Sequence, residues 1–121
     1  ILPDVGKGSR ILLVATQDGQ VAGTVQLELA QKPNGLHRAE VQKLLVHRDH
    51  RGKGIAGELL DAMEAVAREC GRSLLVLDTV RGDTAERLYR KLGWSEAGAI
   101  PQFAMSASGT LDETVIFYKQ M

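Results

Sequence analysis

With 121 residues, 15 Lys and Arg against 15 Asp and Glu, and a formal net charge of zero, the chain has the make-up of one ordinary globular domain. Balanced charge argues against a nucleic-acid partner recruited by bulk electrostatics, and no apolar run approaches the ~20 residues that cross a bilayer. Cys70 is the single cysteine, so no internal disulfide forms and a reducing, cytoplasmic setting fits.

Taken in order, the first ten residues carry Pro3, Gly6 and Gly8 and read as loop or frayed edge. A chain that starts at Ile1 rather than Met suggests a preceding segment. Residues 11–16 form a strand, and Asp18-Gly19 suits the positive φ angles of a hairpin turn. The next strand alternates, with Val21, Gly23, Val25, Leu27 and Leu29 on one face and Thr24, Gln26 and Glu28 on the other. After the turn at Lys32-Pro33-Asn34-Gly35, residues 39–46 make a third antiparallel strand. Glu40 and Gln42 share a face with Leu44 and Val46, while Lys43 falls between Val41 and Leu45. Polar residues on both faces predict a β-bulge, a device that re-aims side chains near a site.

An amphipathic helix spans residues 55–70, with Ile55, Leu59, Met63, Val66, Ala67 and Cys70 on the stripe and Gly71 as its stop. Cys70 is thereby assigned to the core. The apolar run 73–77 reads as an interior parallel strand covered on both sides, closed by Asp78. Asp83-Thr84-Ala85-Glu86 resembles a capping box opening a helix that runs through Leu88, Tyr89 and Leu92 to Gly93. A strand near 94–97, a loop over 99–112 and a last strand over 114–119 complete a mixed α/β sheet in a single domain, residues 1–121.

Residues 44–57 are the most informative stretch. A strand ends at Val46, a short charged segment from His47 to Arg51 follows, and two glycines flank Lys53 where the helix begins. The first N–H groups of a helix lack carbonyl partners, and glycine lets a ligand approach the backbone closely. Arg51 and Lys53 add positive charge. Together they make a cradle for phosphate or pyrophosphate. A Walker-type loop is excluded because Gly54, not Ser or Thr, follows Lys53. Gly52, Gly54 and Gly57 also satisfy G-x-G-x-x-G, with Asp78 about 20 residues on, as in nicotinamide dinucleotide folds. The charged segment before the glycines and the antiparallel hairpins upstream count against that. His47 and His50 read as solvated loop residues, and no Cys/His cluster has metal-ligand spacing.

Arg51-Gly52-Lys53-Gly54-Ile55-Ala56 matches R/Q-x-x-G-x-G/A, and the chain here resembles the GNAT N-acetyltransferases. The segment Thr84-Ala85-Glu86-Arg87-Leu88-Tyr89-Arg90-Lys91-Leu92-Gly93-Trp94 is similar to that family's A-x-x-L-Y-x-K-L-G-F/W segment. Within the family, residues 31–36, 39–44 and 77–79 look most like members that acetylate a β-lactam amino-acid toxin. The resemblance implies a mixed, mainly antiparallel, twisted sheet with flanking helices, here lacking the family's N-terminal strand and helices.

It also implies acetyl-CoA as acetyl donor. The N–H groups of Gly52, Lys53, Gly54, Ile55, Ala56 and Gly57 would hold its pyrophosphate beside Arg51. The backbone of Leu44, Leu45 and Val46 would pair with the pantetheine arm like an added strand. Tyr89 is the implied general acid: a free thiol ionises near ~8.5 and a phenol near ~10, so a phenol can stabilise or protonate a leaving thiolate. Its bland alternative is a core tyrosine with its hydroxyl at the rim. Glu40 and Asp78 are equal candidates for the base or for a ligand of the substrate ammonium, and each could instead be an exposed strand acid. Gly82 stands where the family often has asparagine, leaving Asp83 or Thr84 to touch the cofactor. The implied reaction is direct transfer to a small-molecule amine, by a cytoplasmic enzyme without nucleic-acid or membrane partners, in a family where homodimers are common. A non-catalytic CoA-binding module is the alternative.

Overall fold

The computed structural model describes residues 2, 3, 10–52 and 54–121. Its elements are β1 (Leu2–Pro3), β2 (Arg10–Gln17), β3 (Gln20–Leu29), β4 (Arg38–Val46), α1 (Ile55–Glu69), β5 (Leu74–Val80), α2 (Thr84–Lys91), β6 (Ser95–Met105) and β7 (Leu111–Gln120). This is a mixed α/β fold with a mainly antiparallel sheet. It divides into two compact units, Ile1–Leu75 with Met121 and Val76–Gln120. No helix among the described residues is long and apolar enough to cross a membrane.

In the first unit β1, β2, β3 and β4 follow one another antiparallel. Of the opening stretch expected as loop or frayed edge, Leu2–Pro3 is a short edge strand, with Leu2 opposite Leu12 and Pro3 opposite Ile11, while Gly6 and Gly8 lie outside the described residues. The β2–β3 turn has Asp18 at φ 52° and Gly19 at φ 78°, the positive angles expected of Asp-Gly. One sheet face carries buried Leu13, Val25, Leu27, Leu29, Ala39 and Val41, and α1 packs on β2, β3 and β4 with Ile55, Leu59, Leu60, Met63, Val66 and Ala67 buried. Alternation down two strands and a 3.6-residue stripe on the helix thus supply both halves of this core.

Two expectations about this unit are corrected. Val21 is 56% exposed, because one extra residue, Ala22, sits between the Ala15–Gly23 and Thr16–Val21 pairs and shifts the alternation. Cys70 is exposed: α1 stops at Glu69, and Cys70 is its C-cap in a Schellman turn, in which Gly71 donates to the Arg68 carbonyl and Arg72 to the Ala67 carbonyl. The stripe continues in sequence but not in space.

In the second unit the strand order is β5-β7-β6, with β6 and β7 antiparallel. Of the apolar run in β5, Leu75 and Leu77 are buried and Leu74 and Val76 half-buried, so one face is better covered than the other. The loop expected over 99–112 is instead a long hairpin, since β6 reaches Met105 and β7 starts at Leu111. The register slips between Ile100 and Ala104, where Pro101 and Gln102 (φ 53°) lie. β6 lies at the end of this order, the place where a sheet tolerates proline.

Candidate active site

The bulge expected in β4 is present. Thr24 faces Leu45 and Gln26 faces Gln42, so Lys43 and Leu44 together oppose Val25, with Lys43 at φ 53°. The inserted residue inverts the face of everything after it. Leu45, 65% exposed, joins Glu40 and Gln42 on the outer face, replacing Leu44 and Val46 as the sequence alternation had them. Val46 turns to the inner side, opposite Gly23.

After Val46 the chain makes a short 3-10 turn, Arg48–His50, capped by Nδ1 of His47, which accepts from the Asp49 N–H at 3.2 Å. Nδ1 of His50 lies 3.0 Å from the Gln17 amide oxygen and fastens this turn to β2. The histidines therefore shape the loop: His47 is exposed, and His50 is half-buried. Gly52 (φ 80°) and Gly54 (φ 77°) then reverse the chain into α1, in a conformation that costs a residue with a Cβ about 1–2 kcal/mol. Gly54 is the N-cap of α1 and offers no side chain to the first-turn N–H groups. Glu58 donates to the Gly54 carbonyl to open the helix, and the amides of Ile55, Ala56 and Gly57, in its first turn, have no carbonyl partner within it. A Cβ built at Gly52, Gly54 or Gly57 would meet nothing within 4 Å. Open space and unpaired donors at a helix N-terminus fit a diphosphate. Nε of Arg51 donates to the Val46 carbonyl at 3.4 Å, so this guanidinium sits across the end of β4. Lys53 lies outside the described residues.

The helix mouth is seated by a glycine the sequence showed only as one of an alternating face. A Cβ on Gly23 would stand 2.9 Å from the Leu45 carbonyl oxygen, 3.1 Å from Cδ1 of Leu59 and 3.2 Å from Cγ2 of Ile55. Gly23 thus lets the first turns of α1 settle onto β3. An interior strand glycine is the signal for such close approach. Arg72, unmarked in the sequence, donates through Nη1 to the carbonyls of Ala30 (2.9 Å), Leu36 (2.5 Å) and Arg38 (3.4 Å), tying down the β3–β4 loop.

Glu40 lies opposite Glu28 across β3 and β4. Gln42 Nε2 bridges them, donating to Glu28 at 2.7 Å and Glu40 at 3.2 Å, and Arg10 pairs with Glu28 at 3.7 Å. Glu40 is a half-buried acid already engaged within its own sheet.

In the second unit Tyr89 is buried on α2, with its ring 5.9 Å from those of Trp94 and Phe117. The Leu-Gly-Trp end of the helix is a second Schellman turn. Gly93 (φ 91°) donates to the Arg90 carbonyl and Trp94 to the Tyr89 carbonyl, which brings Trp94 back onto Tyr89. Burial pushes the Tyr89 phenol up to about 12, and the charges of Asp83 and then Asp78 push the same way. Asp78 and Asp83 are exposed, and the structure brings both within electrostatic reach of Tyr89. Asp83 is the N-cap of α2, its Oδ1 accepting from the Thr84 N–H at 2.7 Å. The capping box differs from the expected one. Glu86 reaches past Asp83 to accept from the Gly82 N–H at 2.8 Å. Among the described residues no group of His, Cys, Asp and Glu is arranged to hold a metal ion.

In the first unit, a bulged strand running into a glycine turn and a helix without a side-chain cap is an arrangement that suits the diphosphate of an acyl-CoA. The chain belongs to the acetyltransferase (GNAT) domain family, which matches residues 8–96. It is 28% identical over 104 residues to the L-amino acid N-acyltransferase MnaT of Escherichia coli, covering 85% of this chain and 60% of that protein. It is also 28% identical to the L-methionine sulfoximine/L-methionine sulfone acetyltransferase of Salmonella typhimurium, covering 85% and 61%. Among solved structures it resembles yncA of Salmonella typhimurium, solved with its cofactor acetyl-CoA, at a TM-score of 0.81 and 25% identity over 90% of this chain and 63% of that one. The chain therefore spans about three fifths of the length of these curated relatives.

Proposed function

We propose that this chain is the acetyl-CoA-binding core of an N-acetyltransferase that acetylates the primary amine of a small, amino-acid-like molecule. The observation that carries it is the uncapped N-terminus of α1 behind Gly52 and Gly54, open on every side where a Cβ would point. Bound there, acetyl-CoA supplies an activated acyl thioester.

The backbone N–H groups from Gly52 to Gly57 bind the diphosphate, with Arg51 and Lys53 adding charge. The backbone of Leu44, Leu45 and Val46 lies next to the Lys43 bulge, where the strand is bent off its regular ladder, and binds the pantetheine amides. Tyr89 carries its proton at neutral pH, as a free phenol would, and burial pushes the phenol further up, to about 12. Yielding that proton outright to a thiolate of ordinary pKa ~8.5 is uphill, so Tyr89 acts first as a hydrogen-bond donor to the leaving sulfur. Asp78 or Glu40 orients the incoming ammonium or accepts its proton. Asp78 is favoured over Glu40 because it is exposed on β5 and within electrostatic reach of Tyr89, whereas Glu40 already accepts from Gln42. Thr84 opens α2 and takes the contact that the family's asparagine would make at Gly82.

The amino-acid-like substrate is supported by the names of two relatives, an L-amino acid N-acyltransferase and a methionine sulfoximine and sulfone acetyltransferase. The likeness of residues 31–36, 39–44 and 77–79 to the tabtoxin-resistance acetyltransferase, whose toxin is itself an amino-acid derivative, points the same way. The test is release of free thiol from acetyl-CoA when L-methionine sulfone is added. Thiol release that requires the amine supports transfer; binding of CoA without release over a panel of amino-acid amines supports a non-catalytic module. Displacement of CoA by NAD in a thermal-shift assay would favour the dinucleotide reading instead.

A further inference from the structure

Glu86 sits one helical turn before Tyr89 and stands at the centre of a charge cluster in the second unit. Its Oε1 accepts from the Gly82 N–H at 2.8 Å, and its Oε2 accepts from Arg81 Nη1 at 3.2 Å and from Arg90 Nη2 at 2.9 Å. Arg81 also donates to Glu113 on β7 at 3.2 Å and lies 3.6 Å from Glu96 on β6, while Arg90 pairs with Glu96. The Arg90 guanidinium lies 5.1 Å from the centre of the Phe117 ring, and the Tyr89 ring lies 5.9 Å from the same ring. The Glu86 side chain is only 13% exposed, so these bonds are partly withdrawn from water. One carboxylate therefore ties together the loop before α2, the first turn of α2 and the arginine that lies over Phe117, a ring neighbour of Tyr89.

A two-turn helix such as Thr84–Lys91 is too short to hold its own orientation, and its placement depends on what its ends are bound to. Its C-terminal end is bound by the Gly93 and Trp94 turn. Its N-terminal end is bound by Glu86.

We propose that Glu86 is a positioning residue for Tyr89: its carboxylate clamps the N-terminus of α2 to Gly82, Arg81 and Arg90, and so fixes where the Tyr89 hydroxyl points. The proposal rests on the reading of Tyr89 as the donor to the leaving sulfur, and the test separates the two. Glu86→Gln keeps the size and one acceptor but removes the charge that holds both arginines. In protein carrying labelled tyrosine, the Tyr89 ring signals move in Glu86→Gln while those of Tyr118 stay. With acetyl-CoA and L-methionine sulfone, kcat falls about tenfold and the KM for acetyl-CoA stays within about twofold. Tyr89→Phe falls by roughly 100-fold. The double variant is no slower than Tyr89→Phe alone, because a residue that acts through another has nothing left to act on.

Unmoved Tyr89 signals in a folded Glu86→Gln protein would overturn the positioning role. So would an unchanged kcat, or losses that multiply in the double variant. If Tyr89→Phe alone leaves kcat untouched, the donor reading falls and this proposal with it, even though the ring signals have moved. Should Glu86→Gln not fold, Arg81→Gln removes one arm of the clamp and is held to the same pattern.

Discussion

Gly23 and Ile55 meet without room for a methyl group between them: a Cβ on the glycine would lie 3.2 Å from Cγ2 of the isoleucine and 2.9 Å from the Leu45 carbonyl oxygen. The isoleucine side chain can turn aside, but the carbonyl belongs to β4 and moves only with the strand. Gly23→Ala is therefore expected to cost about 1–3 kcal/mol of stability, the range for overpacking. It lifts the first turn of α1 away from β4, so acetyl-CoA affinity falls as well. Urea denaturation and calorimetric titration of acetyl-CoA measure the two effects; a Gly23→Ala protein as stable and as tight-binding as the parent contradicts this seating.

The pH dependence of Tyr89 has a definite sign. Its phenol is raised from 10 to about 12 in the folded protein, chiefly by burial and then by Asp83 and Asp78. The neutral form is thus favoured by folding, and this contribution is whole below the unfolded value of ~10 and is lost as pH rises towards 12. Relative to Tyr89→Phe, the parent should lose about 2–3 kcal/mol of stability across that window and nothing between pH 7 and 9. Denaturant melts of both proteins at matched pH check it. Parallel curves throughout would mean that the phenol is not held neutral by its surroundings.

Arg72 bonds three carbonyls of the β3–β4 connection through a single nitrogen. Bonds to a charged donor are worth about 1.5–3 kcal/mol, and the freed carbonyls can regain some of it from water. Arg72→Met, which keeps the stem, should lose about 2–3 kcal/mol and should raise hydrogen exchange at Gly35 and Ala30, whose N–H groups bond within this connection. A stable variant with unchanged exchange there would show the loop to be held by other means.

Much of the site is legible in the sequence where several signals coincide. Residues 44–57 combine a strand end, a glycine turn and a helix start, and each survives on its own physical ground. The β4 bulge shows because Glu40 and Gln42 fall in sequence on the face of Leu44 and Val46, with Lys43 between Val41 and Leu45, yet its consequence, Leu45 rather than Leu44 or Val46 beside Glu40, needs the register. Val21 was hidden by an extra Ala22 that carries no polar mark. Cys70 continues the helical stripe, and only the turn at Gly71 removes it from the core. Residues 99–112 look like loop because alanine, glycine and proline form strands poorly, and an edge strand with a bulge accepts them nonetheless. Glu86 was legible as a capping residue, but its arginine partners come from the preceding loop and the next helical turn, which helix-start spacing does not reveal.

The central claim is that the mouth of α1 grips the diphosphate of acetyl-CoA. Its most direct test is to follow the backbone amide signals of the protein by NMR as CoA is added. The account predicts that the N–H signals of Gly54, Ile55, Ala56 and Gly57 shift together and saturate with the same affinity as the calorimetric titration. Saturable CoA binding that leaves these four signals in place, or no binding at all, would contradict it.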